Sequence, residues 1–245
     1  MMLTILALSG AWLMVFQYLQ GVLGLSPLQA GLAMLPPAVV QTAASLLIPA
    51  ATRYVSRARL VSGGLLLAAV GLAALMWVND INDLTLLVVG MTIMGMGVMP
   101  MMILGTDLVV SAAPATKAGA ASATSETATE LGMALGIAVI GSVGAAVYRR
   151  HMLEALPEGL SGAQALAAGD TLGGAIGAAG QLPPALATQV MDAARAGFNA
   201  ALHTNSAIGA AIVVGTALMT ALLLRGRPAN GAAPSGAPEA VEEQP

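Results

Sequence analysis

The sequence predicts an all-α membrane protein with six transmembrane helices. Of the 245 residues, 57% are hydrophobic and only 9% are charged, and the mean hydropathy is +0.83. Soluble domains carry about 25% charged residues, so the composition indicates an integral membrane protein. The apolar residues also fall into six segments, each able to cross roughly 30 Å of hydrocarbon at about 20 residues.

The six segments are predicted to be helices because only helices or closed barrels satisfy every backbone hydrogen bond in lipid. The alternating ten-residue runs of a barrel do not occur in the sequence. The first segment is too long, and too uncharged before its apolar run, for a cleaved signal peptide. The predicted spans are residues 3–23, 30–51, 60–78, 84–110, 124–147 and 204–224.

The basic residues predict the orientation of these spans. Most of them fall on one side of the bundle, which the positive-inside rule makes cytoplasmic. They are Arg53, Arg57 and Arg59 after the second span, Lys117 after the fourth, and Arg225 with Arg227 after the sixth. Arg149 and Arg150 lie on the other side, but they open a long loop, where the rule weakens. We therefore expect both termini in the cytoplasm of a cell with this chain in its inner (plasma) membrane.

Two segments are not predicted to span the membrane. Residues 148–203 contain Pro183 and Pro184 between two Ala-rich stretches, and proline is well tolerated at a helix start. This pattern predicts a helical hairpin at the outer surface whose second arm runs into the sixth span. Residues 225–245 are rich in Pro, Gly and Ala and end in acids, which predicts a disordered cytoplasmic tail.

Two stretches resemble a known family. The first is FQYLQGVLGLSPLQAGLAMLPPAVV at residues 16–40; the second is GMGVMP at 95–100 with KAGAASATSETATELGMALGIAVIGSV at 117–143. The chain resembles the fourteen-helix drug:proton antiporters of the major facilitator superfamily, the QacA/EmrB type. In that family the first stretch joins the ninth and tenth helices, and the second corresponds to the twelfth and thirteenth.

The resemblance implies an architecture, partners and substrates. It covers the chain except for the tail, but it corresponds only to the C-terminal six-helix bundle of such a transporter. We therefore expect a fragment or the product of a truncated gene, with the missing N-terminal bundle or a second copy of itself as partner. The family also implies exchange of protons for small lipophilic, cationic compounds, and a similar outer hairpin occurs in QacA-like members.

Glu126 and Glu130 are two like charges where the fifth span begins. Four residues apart on a helix, they lie on the same face. If the helix begins near Thr124, Glu130 lies about 9 Å inside the membrane, at 1.5 Å per residue. A carboxyl that gains and loses a proton there is what proton coupling requires, and its ionised form attracts a cation. In similar QacA-like members, acids in this helix serve protonation or cation recognition.

Other interpretations of the acids are open. If the helix begins near Ala118, both glutamates lie at the lipid–water boundary, favourably placed near a helix N-terminus. Asp107, near the cytoplasmic end of the fourth span, is either a further titrating group in the same vestibule or an interfacial acceptor for Thr106 and nearby backbone.

The first two spans carry uncharged polar side chains. Gln17 and Gln41 either line a substrate cavity or form hydrogen bonds between helices. Tyr18 and Gln20 lie near the predicted outer interface, where a tyrosine anchor is common, although Tyr18 is also a candidate for the cavity.

The fourth span is unusually rich in methionine. Methionine is flexible and polarizable, which suits promiscuous apolar recognition, but it is also ordinary core filler. We take Met94 and Met99 as cavity candidates. The full set is Met91, Met94, Met96, Met99, Met101 and Met102.

Prolines and glycines predict how the helices bend and pack. Pro36, Pro37 and Pro100 are expected to kink their helices, and kinked helices often border the cavity of a transporter. Gly132 and Gly136, four residues apart, would let a neighbouring backbone approach closely.

These observations leave two hypotheses for function. The first is the C-terminal bundle of a proton-coupled multidrug efflux transporter. The second is a truncated, non-transporting membrane module that acts as a homodimer or binds a partner. An enzyme is disfavoured because no catalytic motif is present. His151 and His203 are isolated, so no metal site is predicted, nor any cofactor or nucleic-acid partner.

Overall fold

The computed structural model describes residues 1–79 and 83–224, and within them the regular secondary structure is entirely helical. The predicted tail, with Arg225 and Arg227, lies outside the described residues. The helices are α1 (Met2–Gln17, continued by a π-helical turn at Tyr18–Val22), α2 (Pro27–Ala33), α3 (Leu35–Ala51), α4 (Arg57–Ala74), α5 (Leu84–Ser111), α6 (Ala118–Ala155), α7 (Gly162–Asp170), α8 (Leu172–Ala179) and α9 (Pro184–Leu224). Short 3-10 turns follow α4 at Leu75–Trp77 and precede α6 at Ala115–Lys117.

The predicted fold class is confirmed. Six helices or helix pairs among the described residues are long and apolar enough to cross a membrane, and the outer segment before the last span is helical. The chain is therefore a multi-pass membrane protein with one helical bundle.

At the centre of the bundle, α4 packs against both α5 and α9. Glycines allow the α4 and α5 backbones to touch: a Cβ on Gly71 would lie 2.7 Å from the carbonyl oxygen of Gly90, and a Cβ on Gly97 would lie 2.5 Å from that of Gly64. No side chain separates the two helices at these points. This close approach is typical of membrane helices, whose association depends on packing rather than on exclusion of water.

A second close contact joins α1 to α6. A Cβ on Gly132 would lie 2.6 Å from the carbonyl oxygen of Met2, and one on Gly136 would collide with Ser9 Oγ and the Leu6 carbonyl oxygen. Further along, Ile140 of α6 fills the space above Gly10 of α1. The paired residue numbers rise together, so the two helices run parallel.

The prolines of the second span interrupt its helix. Pro36 and Pro37 stand in the first turn of α3, and a single residue, Met34, separates α2 from α3. Proline lacks the backbone N–H that would bond four residues back, so the carbonyls of Leu32 and Ala33 lose their α-helical donors. Pro100, by contrast, lies inside α5, which continues through it.

The two helices next to the predicted hairpin are longer than the spans themselves. α6 has 38 residues and continues to Ala155, and α9 has 41 residues and begins at Pro184. The start of α9 at Pro184 agrees with the predicted second arm that runs into the sixth span. Only α6 departs from the prediction, because it continues past residue 147 into the segment predicted as an outer loop, and α7 and α8 lie between the two helices.

Specific polar contacts hold the outer segment. The Tyr148 hydroxyl donates to the carbonyl oxygen of Ala168 at 3.0 Å, and Arg149 forms an ion pair with Asp170 at 3.1 Å. These two contacts attach α7 to the outer part of α6.

The loop after α4 is held by the last helix. His203 Nε2 lies 2.7 Å from the Val78 carbonyl oxygen, and Asn199 Nδ2 donates to the Asn79 carbonyl oxygen at 2.7 Å. Two neighbouring carbonyls at the end of α4 are thus satisfied by side chains of α9.

Replacing Gly136 by alanine is expected to lower the free energy of unfolding by about 1–3 kcal/mol, since overpacking displaces a neighbouring backbone. Gly141→Ala is the control: it lies on the same helix, and a Cβ there meets nothing within 4 Å. Thermal unfolding of both variants in detergent measures the difference. Equal stability of the two variants would contradict the backbone contact between α1 and α6.

Candidate functional site

A groove lies between the end of the first span and α8. Its volume is about 270 Å³. Two glutamines supply its polar groups, and the rest of the lining is apolar or glycine. The lining residues are Leu13, Phe16, Gln17, Gln20, Gly21, Leu172, Gly173 and Ile176.

The shape of the groove depends on Gly21. This glycine lies in the π-helical turn, and a Cβ on it would be 2.5 Å from Leu172 Cδ2. The absence of a side chain at residue 21 therefore lets α8 rest directly on the end of the first span. Gln17 and Gln20 are both exposed beside this contact.

The structure places Tyr18 differently from both sequence interpretations. Its side chain is fully buried at 0% exposure, and its ring lies 6.4 Å from that of Phe198 on α9. Tyr18 is therefore neither an interfacial anchor nor part of the groove lining in this structure. The adjacent Gln17 faces the groove instead.

Gln41 lies between α3 and α5. Its amide rests on Gly95, where an added Cβ would meet Gln41 Nε2 and Cδ and would lie 2.7 Å from Cγ. Gln41 thus fills a helix–helix contact and does not line the groove of Gln17 and Gln20.

The methionines of α5 divide between core and surface. Met94 is buried at 1% exposure and packs where Gly71 of α4 meets α5, so it belongs to the core. Met99 is partly buried against that core. Met91 and Met101 are also buried, whereas Met96 and Met102 are exposed.

Glu126 and Glu130 are both exposed on α6. The buried strip of this helix contains Ser125, Gly132 and Gly136. At about 100° per residue, the two acids lie roughly 100–140° around the helix from that strip. Among the described residues, neither acid has an ion pair. The helix begins at Ala118, the start that the boundary interpretation assumed.

Asp107 lies near the same end of the bundle as Glu126. The Met1 sulfur is 3.2 Å from Ser125 Oγ on α6 and 3.3 Å from a Cβ built on Gly105 of α5. Asp107 is two residues after Gly105 and Glu126 is one residue after Ser125, so both acids lie close to the parts of α5 and α6 that the Met1 side chain reaches. Asp107 is exposed.

The acids and the groove lie at opposite ends of the bundle. Gly132 meets Met2, and Gly144 meets Met14, so Gln17 is level with approximately residue 147 of α6. Glu130 lies 17 residues earlier, which corresponds to roughly 25 Å at 1.5 Å per residue. The structure does not bring the predicted proton-binding and cavity residues into one site.

The sequence analysis missed two buried polar residues of α9. Asn205 is 2% exposed and Ser206 is 1% exposed. The side-chain polar atoms of both lack a hydrogen-bond partner among the described residues. The run HTNS at residues 203–206 was the available signal, but its position at a predicted span boundary concealed that these side chains are buried.

The two histidines remain apart from any cluster of metal ligands. Within residues 1–79 and 83–224, no group of three or more His, Asp or Glu side chains is arranged to hold a metal ion. His203 instead contacts the Val78 carbonyl oxygen.

A bundle of six apolar helices with polar side chains at both ends is the architecture of a multi-pass membrane protein. The model of the Major Facilitator Superfamily matches residues 1–149, which is more than half of the chain. The chain therefore belongs to the Major Facilitator Superfamily.

Several curated relatives are named for drug efflux or resistance. The multidrug efflux pump LfrA of Mycolicibacterium smegmatis is 37% identical over 223 residues, which is 91% of this chain and 44% of the relative. The methyl viologen resistance protein SmvA of Salmonella typhimurium is 35% identical over 201 residues, 80% of this chain and 39% of the relative. The chain thus spans less than half the length of these relatives.

Replacing Gly95 by alanine is expected to push the Gln41 side chain out of its contact and to destabilise the protein by about 1–3 kcal/mol. Combining it with Gln41→Ala relieves the collision, so the two changes should show a coupling energy of about 0.5–3 kcal/mol. Thermal unfolding of the single and double variants measures this. Gly63→Ala, where a Cβ meets nothing within 4 Å, is the control; strictly additive effects would contradict the contact.

Proposed function

We propose that this chain is the C-terminal bundle of a proton-coupled multidrug efflux transporter that exchanges protons for lipophilic, cationic compounds. The observation that carries the proposal is the pair of exposed carboxylates, Glu126 and Glu130, on a face of α6 that no described element covers with a partner charge. Family membership and the names of the relatives support transport as the activity.

The energetics of a charge in the membrane support an aqueous environment for this face. A carboxylate at the centre of a bilayer costs about 2.5–3.5 kcal/mol on insertion scales. Acids in membrane helices accordingly face a bundle interior or a water-filled cavity and mark ion or proton pathways. A carboxyl in such a vestibule alternates between a bound proton and an ionised form that attracts a cation, which is the exchange that an antiporter needs.

The groove at the other end supplies the second requirement, an apolar binding surface. Leu13, Phe16 and Ile176 offer apolar contacts, and Gln17 with Gln20 offers neutral hydrogen-bonding groups. A lipophilic cation fits such a lining through its apolar body. The name of SmvA refers to methyl viologen, an organic dication, which agrees with cationic substrates.

The incomplete coverage of α3 and α6 supports a partner bundle. Leu46 and Leu47 of α3 are 75% and 67% exposed, and α3 packs mainly against α5. In this proposal a second six-helix bundle faces these helices, and alternating access arises from rocking of the two bundles. The bundle lies in the inner (plasma) membrane with both termini cytoplasmic, as the basic residues predict.

A second candidate function is a non-transporting membrane module that dimerises or binds another membrane protein. One observation favours it: α6 begins at Ala118 and not at Thr124. The membrane boundary therefore need not coincide with Thr124, and the turns that carry the two acids can lie at the lipid–water boundary. In that case the glutamates are solvated by headgroups and water, and their charge has no part in transport.

Uncoupler-sensitive ethidium efflux is expected from exporter-deficient bacteria that express this chain together with the N-terminal half of LfrA. Glu130→Gln should abolish this efflux, because the amide can neither release a proton nor attract a cation. Glu158→Gln, an exposed acid of the outer segment, is the matched control and should retain it.

The same measurement distinguishes the two candidates. Efflux that persists in Glu130→Gln and in Glu126→Gln would refute proton coupling through these acids. No efflux from the correctly folded pair of bundles would favour the non-transporting module. The chain expressed alone tests whether two copies suffice.

A further inference from the structure

Asn205 is a fully buried amide without a hydrogen bond. It is 2% exposed, and neither its Nδ2 nor its Oδ1 has a partner among the described residues. The amide lies over Gly144 of α6, where an added Cβ would be 2.6 Å from Asn205 Nδ2 and 3.1 Å from the terminal methyl carbon of Met14 on α1. Three helices therefore surround this group.

Such an arrangement is unfavourable in a single static structure. A buried polar group without a partner loses its hydration and gains nothing in return, and most buried side-chain polar atoms are paired. Gly144 nevertheless leaves space for the amide, since any larger residue would displace it. We read this as a side chain whose partner is present in another arrangement of the same helices.

A second irregularity lies one turn further along α1. The π-helical turn at Tyr18–Val22 is closed by Leu23 N–H donating to the Tyr18 carbonyl oxygen at 3.0 Å, and Leu25 N–H reaches the Leu19 carbonyl oxygen at 3.0 Å. A π-helical turn accommodates one residue more than an α-helical turn and is frequently found at functional sites. Met14, whose terminal methyl carbon and the Asn205 amide both lie near Gly144, is one helical turn before it.

We propose that Asn205 is a positioning residue for a shift of the π-helical turn, here called the wide turn, along α1. In the second state the wide turn has moved by one turn towards Met14, and its opening leaves an α1 carbonyl without an N–H donor. The Asn205 amide, already beside Met14, donates to that carbonyl. The unpaired amide of the present structure is therefore the group that stabilises the alternative one.

The shift changes the lining of the groove. Residues between the two positions of the wide turn rotate by about 100°, one residue step of a helix. Each then points where its predecessor pointed, so Tyr18 turns from the core towards the direction of Gln17, and Gln20 turns towards the buried direction of Leu19. The groove exchanges an amide for a phenol ring. This consequence for a substrate rests on the proposed function, whereas the shift itself does not.

Labelling of a buried thiol tests the shift without any substrate. The chain contains no cysteine, so Tyr18→Cys introduces a single thiol at a position with 0% exposure. A hydrophilic maleimide reacts with it only while it faces the groove, and the labelling rate of the purified full chain in detergent reports the population of that state. Leu72→Cys, at a core position of α4 with 0% exposure, reports global opening.

Adding Asn205→Leu removes the amide but keeps a similar volume. We expect the labelling rate of Tyr18→Cys to fall by about tenfold or more. The rate is proportional to the population of the second state, so this fall corresponds to a population about ten times smaller. The rate for Leu72→Cys should not rise, and Tm should be unchanged or higher because the unpaired Asn205 amide is removed. Asn205→Ala should give the same fall in labelling if Asn205→Leu does not fold.

Thr216→Val is the matched control. Thr216 is also buried on α9, at 3% exposure, but its hydroxyl donates to the Ile212 carbonyl oxygen of its own helix at 2.8 Å, so this change should leave the labelling rate of Tyr18→Cys unaltered. The proposal is overturned if the labelling rate of Tyr18→Cys is the same with and without Asn205. It is also overturned if that rate changes in parallel with the labelling rate of Leu72→Cys. Failure of the Glu130 efflux experiment would refute the proposed function and leave this result intact.

Discussion

Contact between helix backbones at glycine is the interaction on which the rest of the bundle depends. In lipid, apolar side chains gain little by leaving the solvent, so helices associate through close packing. Gly71 and Gly97 bring α4 onto α5, and Gly136 brings α6 onto α1. The same device creates room for polar groups: Gln41 rests on Gly95, and Asn205 rests on Gly144. The positions of the glycines therefore determine both where the helices touch and where an amide can be buried.

Composition and segment length were sufficient to predict the six helices, because each apolar run reports the thickness of the hydrocarbon directly. They did not predict where α6 ends, since this helix continues beyond its apolar run to Ala155 with polar residues that also favour helix. Pro36 and Pro37 indicated an interruption of the second span, which lies at Met34, because each proline removes a backbone donor. Tyr18 was misplaced because a tyrosine near a span end suggests the interface, whereas its position follows the buried face of α1 at Ala11, Met14 and Val15.

The site was less predictable than the fold. A sequence shows which residues are polar, but the distance between Glu130 and Gln17 depends on how α1 and α6 are aligned. Their parallel contact places the acids and the groove at opposite ends. In the proposed transporter, the carboxylates that exchange a proton for a cation are therefore remote from the apolar groove. Any coupling between them is carried by movement of the helices that connect the two ends.

The lengths of α6 and α9 have a mechanical consequence. Helices of 38 and 41 residues measure about 57–62 Å at 1.5 Å per residue, roughly twice the thickness of the hydrocarbon. The hairpin of α7 and α8 is attached to α6 by Tyr148 and Arg149. A tilt of α6 at the end that carries the glutamates also moves the end that carries α7. A binder that clamps α7 would therefore restrain the glutamate-bearing end of α6 without approaching it.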